Sequence, residues 1–153
     1  MKNILLTLVL TVFTNILFAQ KDDAEPVYFK VTNYNYNGEE QTGLALRENI
    51  VLAFYDCDLA DVMCMSLFWR ASDSQSYGGV YGLKKQEYEE TAETYAADFY
   101  TFTWDYVNSY NEEKGQAKVT FQKIYVGRTI KFTCDILVLE DNSTIALKGY
   151  MEQ

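Results

Sequence analysis

The chain has 153 residues, of which 22 are acidic and 13 basic, for a formal net charge of −9, and it contains no histidine. An acidic surface without clustered Lys and Arg repels phosphates, which argues against nucleic acid and anionic lipid head groups as partners. The missing histidine removes the commonest general base, the catalytic triads built on it and most zinc and copper sites.

Residues 1–19 read as a secretory signal peptide. Lys2 precedes a mostly apolar run from Ile4 to Phe18, and Ala19 stands before the polar stretch Gln20-Lys21-Asp22-Asp23. The run carries Thr7, Thr11, Thr14 and Asn15 and falls short of the roughly 20 apolar residues that a membrane-spanning helix needs. Leu17 is bulky for the third position before the cut, and no cysteine follows that would carry a lipid anchor. The expected product is exported, periplasmic or extracellular, with no membrane span after cleavage. Residues 20–26 (QKDDAEP) form a flexible leader ending in the one proline of the chain. Residues 27–153 are expected to fold as a single β domain.

From Val27 the pattern is mostly period two, the signature of strands. Val27-Phe29-Val31 alternates with Tyr28-Lys30-Thr32, and Asn37-Gly38 supplies a tight hairpin turn. A stretch around Thr42 to Arg47 is read as the returning strand. Asn49–Asp56 and Val62–Arg70 are apolar strands joined by the turn-like CDLAD. Ser72–Gly82 (SDSQSYGGVYG) fits either a loop or a twisted, bulged strand. Residues 84–97 admit two readings. Tyr88, Ala92, Tyr95 and Ala96 fall at helical spacing, which would make a short helix. A hairpin turning near Thr91-Ala92 is preferred, because the surroundings are all strand. Thr94–Val107, Gln116–Tyr125, Arg128–Leu139 and Ser143–Met151 complete the series, with turns at 111–115, 126–127 and 140–142. Connections that short force antiparallel neighbours. The expected fold is therefore all-β: one antiparallel meander of about seven or eight strands forming a small barrel or sandwich. Its outline is lipocalin-like, without the Gly-x-Trp signature of that family near the first strand.

Cys57 and Cys64 are close enough to bridge across a loop, a Cys64–Cys134 pair being the alternative. Cys134, in the alternating run Ile130-Phe132-Cys134-Ile136, reads as a small buried apolar residue.

The stretches SDSQSYG (72–78), WDYVNSYNEEKGQAKVTFQKIY (104–125) and KGYME (148–152), with a signal ending in FAQ, resemble a group of short exported proteins from Bacteroidetes, of flavobacterial type. The resemblance implies export and a single domain, and it assigns no functional residue.

Catalytic chemistry is sparse. GGVYG (78–82) lacks the Lys-Ser/Thr of a phosphate loop. The acids lie mainly in turns (Glu39-Glu40, Glu89-Glu90, Glu112-Glu113), and Asp105, alternating away from Trp104 and Tyr106, is expected to face solvent. Asp56, Asp58 and Asp61 cluster, yet without the glycine and distal Glu of a recognised calcium loop. No cofactor, metal or enzymatic activity is expected.

Aromatics remain. Tyr100, Phe102, Trp104 and Tyr106 occupy every second position of one strand, with Trp69, Tyr77 and Tyr81 near the glycine-rich segment. Such rings bind sugars or apolar ligands as flat, rigid faces, and they equally fill a core. The favoured expectation is a non-catalytic binding module for a small apolar or carbohydrate ligand, the aromatic row lining a cavity. The alternative is a structural or protein-interaction component of the cell envelope.

Overall fold

The alternation is realised as nine strands and one short helix in a computed structural model that describes residues 25–57 and 62–152. Residues 1–19, read above as a signal peptide, most of the stretch read as a leader, and Asp58 and Asp61 lie outside the described residues. In chain order the elements are β1 (Val27–Tyr36), β2 (Glu39–Glu40), α1 (Thr42–Glu48), β3 (Ile50–Asp56), β4 (Met63–Trp69), β5 (Ser74–Tyr88), β6 (Ala97–Asn108), β7 (Lys114–Val126), β8 (Thr129–Val138) and β9 (Thr144–Met151). From β3 to β9 each strand pairs antiparallel with the next, and β1 pairs with both β3 and β9. Eight long strands thus close into an up-and-down barrel, and β2 is a two-residue appendage of β1. Among the described residues closure leaves no long unpaired edge.

The strands are strongly staggered. From Lys30 the register runs through Val51, Phe68 and Gln75 to Ser109, just past the end of β6. The other way round it runs through Tyr150, Lys131 and Ile124 to Ala97, twelve positions earlier. An eight-stranded barrel has an interior that side chains just fill, or that keeps room for one small ligand.

Local chemistry explains most boundaries. Asn37 (φ 50°) and Gly38 (φ 83°) make the two-residue turn between β1 and β2, the positive-φ pair that matches strand twist. Segment 84–97 is the hairpin: β5 continues to Tyr88, and the Thr91 hydroxyl accepts the Glu93 and Thr94 amides in the connection before β6. Ser72–Gly82 is mostly strand, ending in a bulge between Tyr81 and Lys84 where Gly82 takes φ 63°.

The returning strand expected around Thr42–Arg47 is instead α1. Leu44, Ala45, Leu46 and Arg47 are good helix formers, and the chain must cross one end of the barrel between β1 and β3. Ala45 is fully buried against the barrel core, and Asn49, in the left-handed conformation, ends the helix by donating its amide to the Ala45 and Leu46 carbonyls.

The core is the inside of the barrel. Phe29, Phe54, Phe121 and Phe132 meet largely edge to face with ring centroids 4.9–6.2 Å apart; Phe54 is partly buried, and each of the three fully buried rings contributes about 1.5–3 kcal/mol. Trp104, 3% exposed, fills the barrel more deeply and donates its indole N–H to the Met65 carbonyl at 3.2 Å. Cys134 is buried and unpaired, while Cys57 and Cys64 are disulfide-bonded, tying the end of β3 to the start of β4. Lys118, Lys131, Asp135 and Lys148 stand exposed on the outer face. Apolar inside and charged outside is the inverse of a membrane barrel. Among the described residues no helix is long and apolar enough to cross a membrane.

Candidate functional site: an apolar cavity at the open end of the barrel

Strand register decides which side chains meet. On β6 the inward positions are Asp98, Tyr100, Phe102, Trp104 and Tyr106. On β7, Lys123 stands opposite Asp98, Phe121 opposite Tyr100, Val119 opposite Phe102 and Ala117 opposite Trp104. On β5, Lys85 stands opposite Tyr100 and Glu87 opposite Asp98. Towards α1 the barrel holds Tyr34, Ala45 and Ile50 in its packed core. At the other end, where β1 and β6 begin, the rings do not fill the space, and a cavity of about 180 Å³ remains. Phe29, Phe54, Phe102 and Phe121 line its depth, Val27, Met63 and Leu83 its walls, and Tyr100 and Lys123 the polar side of its rim.

The rim is charged and connected. Asp98 Oδ2 accepts the Tyr125 hydroxyl at 2.7 Å and the Tyr100 hydroxyl at 3.1 Å, and lies 3.6 Å from the Lys85 ammonium. Burial works to raise the Asp98 pKa, but the two phenol hydrogen bonds and Lys85 outweigh it and hold the carboxyl below its usual range. Burial and the bond to Asp98 push the Tyr125 phenol up to about 12 and raise Tyr100 as well. Lys85 hydrogen-bonds Glu87, which raises its pKa despite some desolvation. Lys123 differs. Its ammonium lies over the Phe29 and Tyr100 rings, 5.9 and 5.8 Å from their centroids, and among the described residues no carboxylate is within 4.0 Å of it. Burial lowers its pKa, only partly offset by the charge of Asp98.

The aromatic residues singled out in the sequence are dispersed. Tyr100 and Phe102 line the cavity. Trp104 belongs to the packed core beneath it, and Tyr106 lies towards the far end, its ring 5.0 Å from that of Trp104. Trp69, opposite Ile50, packs against the core. Tyr77 and Tyr81 stand on the outer face, 39% and 45% exposed, away from the cavity. Asp105 is exposed and accepts a hydrogen bond from Gln116 Nε2 at 2.7 Å. Sequence reasoning missed Lys123, Asp98 and Lys85. Lys123 was within reach: it breaks the inward alternation Ala117-Val119-Phe121 of a strand already recognised.

The site can enclose a small apolar body against phenylalanine rings and offer an ammonium at its edge. Among the described residues no group of three His, Cys, Asp or Glu gathers to hold a metal ion. Comparison of the chain with protein-family models, with curated proteins and with solved structures gives no match.

Proposed function

We propose that the chain is an exported, non-catalytic binding module that takes up a small apolar ligand at the open end of its barrel. One observation carries this reading: an apolar cavity of about 180 Å³, open to solvent, lined by the phenylalanine rings of the barrel interior. An engineered cavity of about 150 Å³ lined by apolar side chains stays dry and binds benzene, so the size suits a single ring or a short alkyl chain. A carbohydrate is the weaker choice, because its hydroxyls would go unpaired against phenylalanine at a cost of about 1–3 kcal/mol each. The carboxylate at the rim, Asp98, is held ionised, which makes it a poor general acid and favours binding over hydrolysis.

Ligand-observed NMR with benzene and toluene tests the proposal. Wild type binds them, and Val27→Trp, which fills the cavity from its wall, does not. Absence of binding to wild type refutes the reading. The exposed outward tyrosines Tyr77 and Tyr81 favour a second reading, an interaction component of the envelope. Crosslinking in envelope extract that yields a partner lost on Tyr77→Ser/Tyr81→Ser, with ring binding unchanged, would support it.

A further inference from the structure

We infer that the ligand is a small monocarboxylate, its ring-sized or short-chain body in the phenylalanine-lined cavity and its carboxylate on the Lys123 ammonium. The inference rests on the cavity being a binding site and names the class of molecule it takes.

Four observations converge. Lys123 is the one cation lining the cavity, and it reaches the rim from an inward position of β7. Its ammonium rests on two rings rather than on an acceptor. The contacts to ring faces recover part of the hydration lost on burial, but three N–H donors remain for a ligand oxygen. Asp98, the acid opposite it, is already engaged: Tyr125, Tyr100 and Lys85 all converge on the same oxygen, Oδ2. Lys85 in turn is held by Glu87. The rim therefore presents a single ammonium that has no acceptor among the described residues, directly above an apolar well.

Charge and size narrow the class. One ammonium matches one negative charge. A phosphate or other dianion would face Asp98 and Glu87 across the rim, on a chain whose net charge is −9, without a second unengaged cation to balance it. The cavity volume of about 180 Å³ holds a ring or a short chain and excludes a long-chain fatty acid from full enclosure. The reactive atoms stay untouched: binding forms a charge-assisted hydrogen bond and breaks none but those to water.

The probes are 3-phenylpropionate and its neutral counterpart 3-phenylpropanol, titrated calorimetrically against the full barrel near pH 7. Wild type is expected to prefer the acid by about tenfold or more, the gain of one hydrogen bond to a charged group. In Lys123→Met the acid loses that preference and the alcohol binds at least as well as before. Lys123→Gln, closer to lysine in polarity, loses it too, and Lys85→Gln retains it. Equal affinity of wild type for acid and alcohol overturns the inference and leaves the proposed function standing. A preference that survives in both Lys123 variants also overturns it. If neither probe binds, the proposed function falls together with it.

Discussion

Lys123 and Asp98 face each other across two strands, and burial disfavours the charge of both, but only Asp98 has hydrogen bonds and a cation that outweigh it. Lys123 has a lowered pKa, so between that value and the ordinary 10.5 the unfolded chain binds more protons than the native one, and stability rises with pH across that window. Lys123→Met removes the desolvation and is expected to stabilise the ligand-free barrel by about 1 kcal/mol at neutral pH, with the advantage shrinking as pH approaches 10. Urea midpoints of the two proteins between pH 6 and 10 check this, and a less stable variant would contradict it. Asp98 has a lowered pKa, so its contribution is present above the unfolded carboxyl value of about 3.9 and is lost as pH falls through the native value below it. Asp98→Asn is expected to cost about 1–2 kcal/mol at pH 7 and to flatten the loss of stability between pH 4 and 2, read from thermal midpoints. The two residues differed in legibility as well. A lysine among Ala117, Val119 and Phe121 is a visible break in period two, whereas the role of Asp98 depends on Tyr125, 27 positions away, and on Lys85.

Elements were legible where the alternation was long and bounded by turn residues. β3, β4 and β6 to β9 lie within a few residues of their expected limits, because each presents one face to the same core. α1 was not legible: seven residues with Gly43 near the start are too few for helical periodicity to register, and the reason for a helix there is the barrel end it crosses. The β3–β4 connection carries the disulfide expected between Cys57 and Cys64, seven positions apart with Cα atoms 5.3 Å from each other. Closing so short a loop removes unfolded-state entropy worth about 2–2.5 kcal/mol. Cys57→Ser/Cys64→Ser is therefore expected to lose about that much by urea denaturation, and since Met63 lines the cavity beside Cys64, to weaken binding of a ring-sized probe as well. Cys134, fully buried with its thiol pKa pushed up by desolvation, should stay unlabelled by thiol reagents until the protein unfolds. Rapid labelling of the native protein would contradict its placement in the barrel interior.

At the scale of the whole molecule, the choice between barrel and sandwich turned on one pairing, β1 with β9, which joins Phe29 to Met151. No local pattern encodes a contact between residues so far apart, so barrel and sandwich both stayed open in the sequence, and the cavity expected along the aromatic row could not be placed. Closure depends on close approach at Gly149, opposite Val31 and beside the bulge that shifts the register between Val31 and Asn33. A Cβ at Gly149 would sit 1.8 Å from the Lys30 carbonyl oxygen and 2.8 Å from the Phe132 ring. The first neighbour is backbone, so Gly149→Ala must displace β1 and open the seam. Gly115 is a useful contrast, since a Cβ there would meet the far end of the Tyr106 side chain, its hydroxyl at 2.4 Å, and that half-buried ring can swing aside. Gly149→Ala is expected to cost about 3 kcal/mol or more and Gly115→Ala about 1 kcal/mol, measured by urea denaturation. Because an opened seam exposes the edges of β1 and β9, the Gly149 variant should also self-associate on size exclusion where the Gly115 variant remains monodisperse. Equal costs and equal elution would mean that the seam yields as readily as a side chain does, and that the barrel is not held shut by this contact.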